Sequence, residues 1–201
     1  MNEDPLVKLE KDVKIVASAR FNCSKRLNKK TWWSLFSISA ISISLILLTI
    51  CENYYGIKSI EPLLFIQITL PGWIFTTLSS VIILALSIAI SSARLDVQYE
   101  KIYDSALKLN KLAREIQVDI QSEDSASYGE IVDRYNKILI ENPVNHKDID
   151  YHIAKCEINK NKEPDYYYKK HIKQHFCLFP YYLITFVSLS VILSILVKVT
   201  S

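Results

Sequence analysis

The stretch ENPVNHKDIDYH, Glu141 to His152, gathers His146, Asp148, Asp150 and His152 in one short polar segment. Imidazoles and carboxylates bind divalent metals and exchange protons, so the segment reads as a metal site, an acid–base pair or a helix start. Spacing separates these readings. On a helix a step of two residues turns the side chain by about 200°, so the four groups cannot converge on one ion. His146 and Asp150 can share a face, as can Asp148 and His152, but two ligands do not make a site. A helix start fits better. Asn145 or Asp148 would cap it, carboxylates favour its first turn, and His146 would hydrogen-bond locally.

Other chemistry is thinly represented. Cys23, Cys51, Cys156 and Cys177 are scattered without a C-x-x-C pair, which fits isolated thiols better than a zinc site or a disulfide framework. With three glycines in the chain, a phosphate-cradling loop is not expected, and no P-loop, nucleophile elbow or H-E-x-x-H occurs. The expectation is a non-enzymatic protein with no cofactor and no metal.

The surroundings explain why. Half of the 201 residues are hydrophobic and 22% are charged, and the two kinds are segregated. No charged side chain lies in residues 31–51, 62–93 or 176–197. A helix crosses the hydrocarbon core with about 20 residues, so each run is long enough. The first run follows a polar segment of residues 1–30, is too long for a signal h-region and lacks a small-residue cleavage site. A net charge of +3 gives no reason to expect direct nucleic-acid binding.

These runs predict an all-α membrane protein with three transmembrane helices, the first two forming an antiparallel hairpin extended into a cytoplasmic, coiled-coil-like domain. The expected parts are an N-terminal helix at 1–30, spans at 31–51, 73–93 and 176–197, an external loop and interfacial segment at 52–72, a helical domain at 94–175 and a tail at 198–201. Pro71-Gly72 sets the start of the second span, with residues 63–70 interfacial or bent at the proline. Trp32, Trp33, Tyr54, Tyr55, Tyr181 and Tyr182 stand near span ends, as an aromatic belt would. Lysine and arginine crowd residues 20–30, 94–114 and 160–173, whereas the outer loop has only Lys58 and the tail only Lys198. The positive-inside rule therefore places the N-terminus and 94–175 in the cytoplasm and the C-terminus outside.

Beyond the second span, Leu95, Tyr99, Ile102, Ala106, Leu109, Ala113, Ile116 and Ile120 recur at alternating steps of four and three, a heptad seam. The second span should thus continue as one long helix. Leu6, Leu9, Val13, Val16, Arg20, Cys23 and Leu27 offer an antiparallel partner. Arg20 falls in that seam, either snorkelling to its edge or paired with Asp96, Glu100 or Asp104. QSEDSASYG reads as a turn, and EIVDRYNKILIE as an amphipathic helix burying Ile131, Tyr135, Ile138 and Leu139. Pro143 ends that helix, and NKNKEPD is a further break. Within the spans, Ser34, Ser37 and Ser44 share one face, and Thr76, Ser80, Ser87 and Ser91 another. Such hydroxyls either pack helices closely or line a weakly polar pore between protomers.

Three segments carry a resemblance: SARFNCSKRLNKK before the first span, SSARLDVQYEKIYDSALKLNKLAREI after the second, and YNKILIENPVNHKDIDY downstream. In that order they resemble the SLATT domain, over about Leu6 to Ile158. By that resemblance Arg20, Arg26, Tyr135, Asn145, His146 and Asp150 occupy characteristic structural positions. The resemblance implies a bacterial inner-membrane effector of anti-phage defence that oligomerises and opens a pore or otherwise disrupts the membrane in abortive infection. Its trigger would be an operon-encoded sensor or signal-producing enzyme, such as a reverse transcriptase or nucleotidyltransferase. The third span departs from the plain two-span pattern. The alternative is a non-conducting adaptor that recruits such an enzyme to the membrane.

Overall fold

A computed structural model of the chain describes residues 4–56, 58–60, 70–122, 128–142, 146–161 and 164–200. They divide into two compact units, one of Met1–Lys29 with Leu95–His175 and one of Lys30–Arg94 with Phe176–Ser201.

The first unit is an arm of packed helices. Helix α1 (Pro5–Tyr55) begins in it. Pro5 suits the first helical position, and Asp4 accepts the Leu6 N–H through Oδ1 at 3.1 Å. Helix α3 (Leu95–Ser122) and helix α4 (Tyr128–Glu141) pack on α1. Their common core is Val13, Ala17, Leu109, Leu112, Ala113, Ile116 and Ile131, flanked by Leu6, Leu9, Val16, Ile120, Tyr135, Ile138 and Leu139. Each large aliphatic side chain so buried contributes about 1.5–3 kcal/mol relative to exposure. Arg20 meets Ser105 and Phe21 meets Tyr103, while Val13 lies with Leu109 to Ile116, so α1 and α3 run antiparallel.

Helix α5 (Asp148–Ile158) follows. It ends in a Schellman pattern: Asn161 N–H donates to Cys156 O at 3.1 Å and Lys160 N–H to Glu157 O at 3.3 Å. Lys160 holds the left-handed position at φ 55°, where glycine is usual. That geometry produces the break expected at NKNKEPD. Helix α6 (Pro164–Tyr168), a π-helical turn (Lys169–Lys173) and helix α7 (Gln174–Phe176) complete the path.

The second unit holds the rest of α1, helix α2 (Gly72–Ala93), helix α8 (Phe179–Thr200) and a two-residue antiparallel pair, β1 (Ser59–Ile60) with β2 (Leu70–Pro71). Among the described residues three helices, α1, the one that starts at Gly72, and α8, are long and apolar enough to cross a membrane. Leu48, Cys51, Ile60, Phe75, Val191 and Ile195 form its core. Trp33 and Tyr182 meet edge-on at 4.6 Å at one end of α1 and α8, and Leu48 and Cys51 meet Val191 and Ile195 further along, so these helices run parallel. The third helix starts at Phe179 rather than 176, with Pro180 in its first turn, the place where a missing N–H costs nothing. The interfacial segment expected at 63–70 lies outside the described residues except for Leu70.

One expectation is corrected. The second span does not continue as a single helix. Arg94 adopts φ 43°, ψ 47°, and a left-handed residue interrupts the right-handed hydrogen-bond ladder between α2 and α3.

Candidate functional site

The polar groups of the arm meet where α1, α3, the end of α4 and the start of α5 come together. Arg26 donates to Asp150 twice, Nη2 to Oδ2 at 2.7 Å and Nε to Oδ1 at 3.2 Å. Asp150 is fully buried, and its Oδ2 also accepts the Lys147 N–H at 3.2 Å. Position three of a helix is where a carboxylate can fold back on the cap residue, so Asp150 closes the first turn of α5 and binds α1 at once. The expected caps are therefore corrected. Lys147 is the N-cap, Asp148 is exposed on the first turn, and Asn145 lies outside the described residues.

Arg20 is 4% exposed, which removes the snorkelling reading. Among the described residues its partners are not acids. Nη1 donates to Ser105 Oγ and Nη2 to the Asn142 carbonyl at 3.4 Å. Asp96, Glu100 and Asp104 all lie on the exposed side of α3. Asn142 is itself buried and donates through Nδ2 to the Lys101 carbonyl, so it ties the end of α4 to α3. Ser105 and Asn142 line a polar cleft of about 100 Å³ with Lys101, Asp104, Lys108 and Glu141. Lys108 spans its rim, 3.0 Å from Asp104 and 3.2 Å from Glu141.

The burial has electrostatic consequences. Desolvation pulls the Arg20 guanidinium below its ordinary value, against the nearby Tyr135 and Cys23. Burial, then Arg20, holds the His146 imidazole below its ordinary value, against Asp150 and Asp148. The Cys23 thiol is pushed up, first by burial and then by Asp150. Burial likewise raises the Tyr135 phenol. His146 stacks on Tyr151 at 5.6 Å.

The structure therefore brings Arg20, Arg26, Tyr135, His146 and Asp150 into one neighbourhood. Sequence reasoning missed Ser105, Asn142 and Lys147. Only Ser105 left a signal, a small polar residue next to Ala106 on the buried side of the heptad. His152 belongs elsewhere: Nδ1 lies 3.6 Å from Cys156 Sγ and Nε2 3.4 Å from Asp165, which also holds Lys169 at 2.6 Å. Among the described residues no cluster of three or more histidine, cysteine or acidic side chains is placed to hold a metal. What the arm's polar centre does chemically is hold four chain segments in one arrangement through buried charge.

The seam residues Leu95, Ile102, Ala106, Leu109, Ala113 and Ile116 are buried, and Tyr99 and Ile120 partly so. In the membrane unit the two hydroxyl faces differ. Ser34, Ser37 and Ser44 are fully buried within the protomer, and Ser188, Ser190 and Ser194 on α8 are buried as well. Small hydroxyl residues of this kind let helices approach closely. Thr76 is half-buried, while Ser80, Ser87 and Ser91 on α2 are exposed. Ser80 and Ser87 return their hydroxyls to their own helix, at Thr76 O and Ile83 O. Only 11% of the apolar stretch of the helix starting at Gly72 is buried, against 39% for α1 and 33% for α8. An apolar groove of about 310 Å³, lined by Phe75, Leu78, Ile82, Leu183 and Val187 among others, opens between α2 and α8.

A family model described as SMODS and SLOG-associating 2TM effector domain family 5 matches residues 2–199. The match runs through the third apolar helix, although the description names two spans. No curated protein and no solved structure shows significant similarity to the chain.

Proposed function

Because the chain belongs to the SMODS and SLOG-associating two-transmembrane effector family, we propose that it is a membrane effector of bacterial anti-phage defence. It acts without catalysing a reaction. Protomers assemble in the inner membrane, and a signal received by the arm from an operon partner, a sensor or a nucleotide-producing or reverse-transcribing enzyme, converts the assembly to a membrane-permeabilising state. The arm and the N-terminus face the cytoplasm, where the lysines and arginines concentrate.

The observation that carries this reading is the exposure of α2. A single protomer has too few spans to enclose a path, and α2 is the span least covered by its own protomer. Its Thr76, Ser80, Ser87 and Ser91 side is free to meet α2 helices of neighbours, giving a weakly polar lining. The adjacent apolar groove offers room for a neighbouring helix.

Membrane potential in cells carrying the native operon, with and without phage, tests the proposal. Depolarisation that depends on this chain and precedes lysis supports it. Protection from phage with an unchanged potential overturns permeabilisation and leaves a non-conducting adaptor.

A further inference from the structure

The segment between α5 and the third membrane helix has one anchored side and one bare side. On the anchored side Tyr166 is 3% exposed and donates its hydroxyl to Glu157 Oε1 at 2.9 Å. Lys170 Nζ donates to the same oxygen and to the Tyr166 hydroxyl, both at 2.8 Å, and lies 5.2 Å from the centre of the Tyr166 ring. Burial opposes ionisation of Glu157, yet these two donors prevail and hold its carboxyl below the ordinary range. The segment cannot roll about its axis without breaking that three-way contact.

The bare side carries Tyr167, Tyr168 and Ile172, each more than half exposed, with exposed His171 and Lys173 beside them. His171 stacks on Tyr167 at 6.4 Å. A π-helical turn spans Lys169–Lys173, a distortion that often marks a functional surface. Two exposed tyrosines and a large aliphatic beside a lysine form an amphipathic surface, apolar in its rings and aliphatic chain and charged at one end. Such a surface suits the headgroup level of a bilayer, where tyrosine rings sit and lysines reach phosphate. Chain connectivity favours the same partner. Lys173 is followed after a few residues by Phe179, the first residue of an apolar helix, and at most about 3.6 Å per residue keeps the segment within reach of the bilayer surface.

We propose that the side of residues 167–173 bearing Tyr167, Tyr168, Ile172 and Lys173 is a docking surface for the lipid headgroup layer, with Lys173 favouring anionic lipid. The inference needs only that the third helix is in a membrane, and not that the protein conducts.

The test is a spin label at Ile172→Cys in the full-length chain, with Cys156 and Cys177 changed to serine and the buried Cys23 and Cys51 kept. The chain is placed in nanodiscs of phosphatidylcholine alone or mixed with phosphatidylglycerol. Accessibility to oxygen and to a water-soluble nickel chelate is compared with a label at the exposed Lys155→Cys on α5. A Tyr168→Cys label repeats the measurement should the first variant fold poorly. The expected result is a severalfold higher oxygen-to-nickel ratio at 172 and 168 than at 155, a further rise with phosphatidylglycerol, and loss of that rise in Lys173→Glu. Equal nickel access at all three positions overturns the proposal. So does shielding at 172 in detergent with spin–spin broadening, which would place a second copy there.

Discussion

Arg26 on α1 and Asp150 on α5 stand 124 residues apart in sequence and meet in a two-pronged fork, with the carboxylate wholly buried. The same carboxylate closes the first turn of its own helix. Helix start and interhelix clasp are thus one group, and removing it affects both.

Asp150→Ala or Asp150→Asn should destabilise the arm by about 3–5 kcal/mol, because a guanidinium loses its counter-charge in a desolvated place. Arg26→Lys keeps the charge but loses the fork and should fall between wild type and Arg26→Met. Chemical unfolding of the purified chain with a probe in the arm measures this. The double variant should show a coupling of about 0.5–3 kcal/mol; additive losses would mean that the two residues act separately.

Ser105→Ala should cost about 1.5–3 kcal/mol, the range for a hydrogen bond to a charged group, since Arg20 is buried and no carboxylate among the described residues pairs with it. Asp104→Asn should cost far less, because Asp104 is exposed and its ion pair is with Lys108, itself at the surface. Midpoints of denaturant unfolding for the two variants decide this. Equal losses would restore the acidic partners expected from sequence.

The arm should lose stability on mild acidification. The folded His146 titrates below its ordinary value, so below about pH 6.5 the unfolded chain binds more protons than the folded one. The contribution is complete above that value and is lost progressively as pH falls beneath it. His146→Gln should flatten the unfolding midpoint across this window. A slope unchanged by the substitution would assign the effect to another group.

In the membrane unit, Ser37→Leu and Ser44→Leu should overpack a closed interface and cost about 1–3 kcal/mol, visible as lower thermal stability in detergent. Ser80→Leu and Ser87→Leu should leave that stability intact and reduce depolarisation after phage challenge. Depolarisation equal to wild type in both would remove α2 from the conducting path.

Lys160→Gly should stabilise the end of α5 by about 1 kcal/mol, because a left-handed residue other than glycine bears a steric cost. Thermal unfolding detects it. A loss instead would mean that the lysine side chain supplies more than the backbone gains.

Much of the fold was legible because apolar periodicity is a property of the chain itself. Ile102, Leu109 and Ile116, all buried, recur at a spacing that only one helix face satisfies, and Ile131 and Ile138 do the same on α4. The site was less legible. Charge complementarity suggested Asp96, Glu100 and Asp104 for Arg20, yet all three point outward, and the groups that reach Arg20 are neutral, a serine on the inward side and the Asn142 carbonyl. Asp150 looked like an ordinary first-turn carboxylate. Nothing near it in sequence reveals that Arg26 will face it.

What the sequence by itself determined is therefore the helical class, the three membrane-length apolar runs and the inward faces of the arm, since transfer free energy and helical period act locally along the chain. Tertiary structure alone decided which buried charge meets which partner and which hydroxyl face is closed. Those depend on how distant segments are brought together, and in a desolvated interior a partner only a few ångströms away determines whether a charge is held or left exposed to its full burial cost.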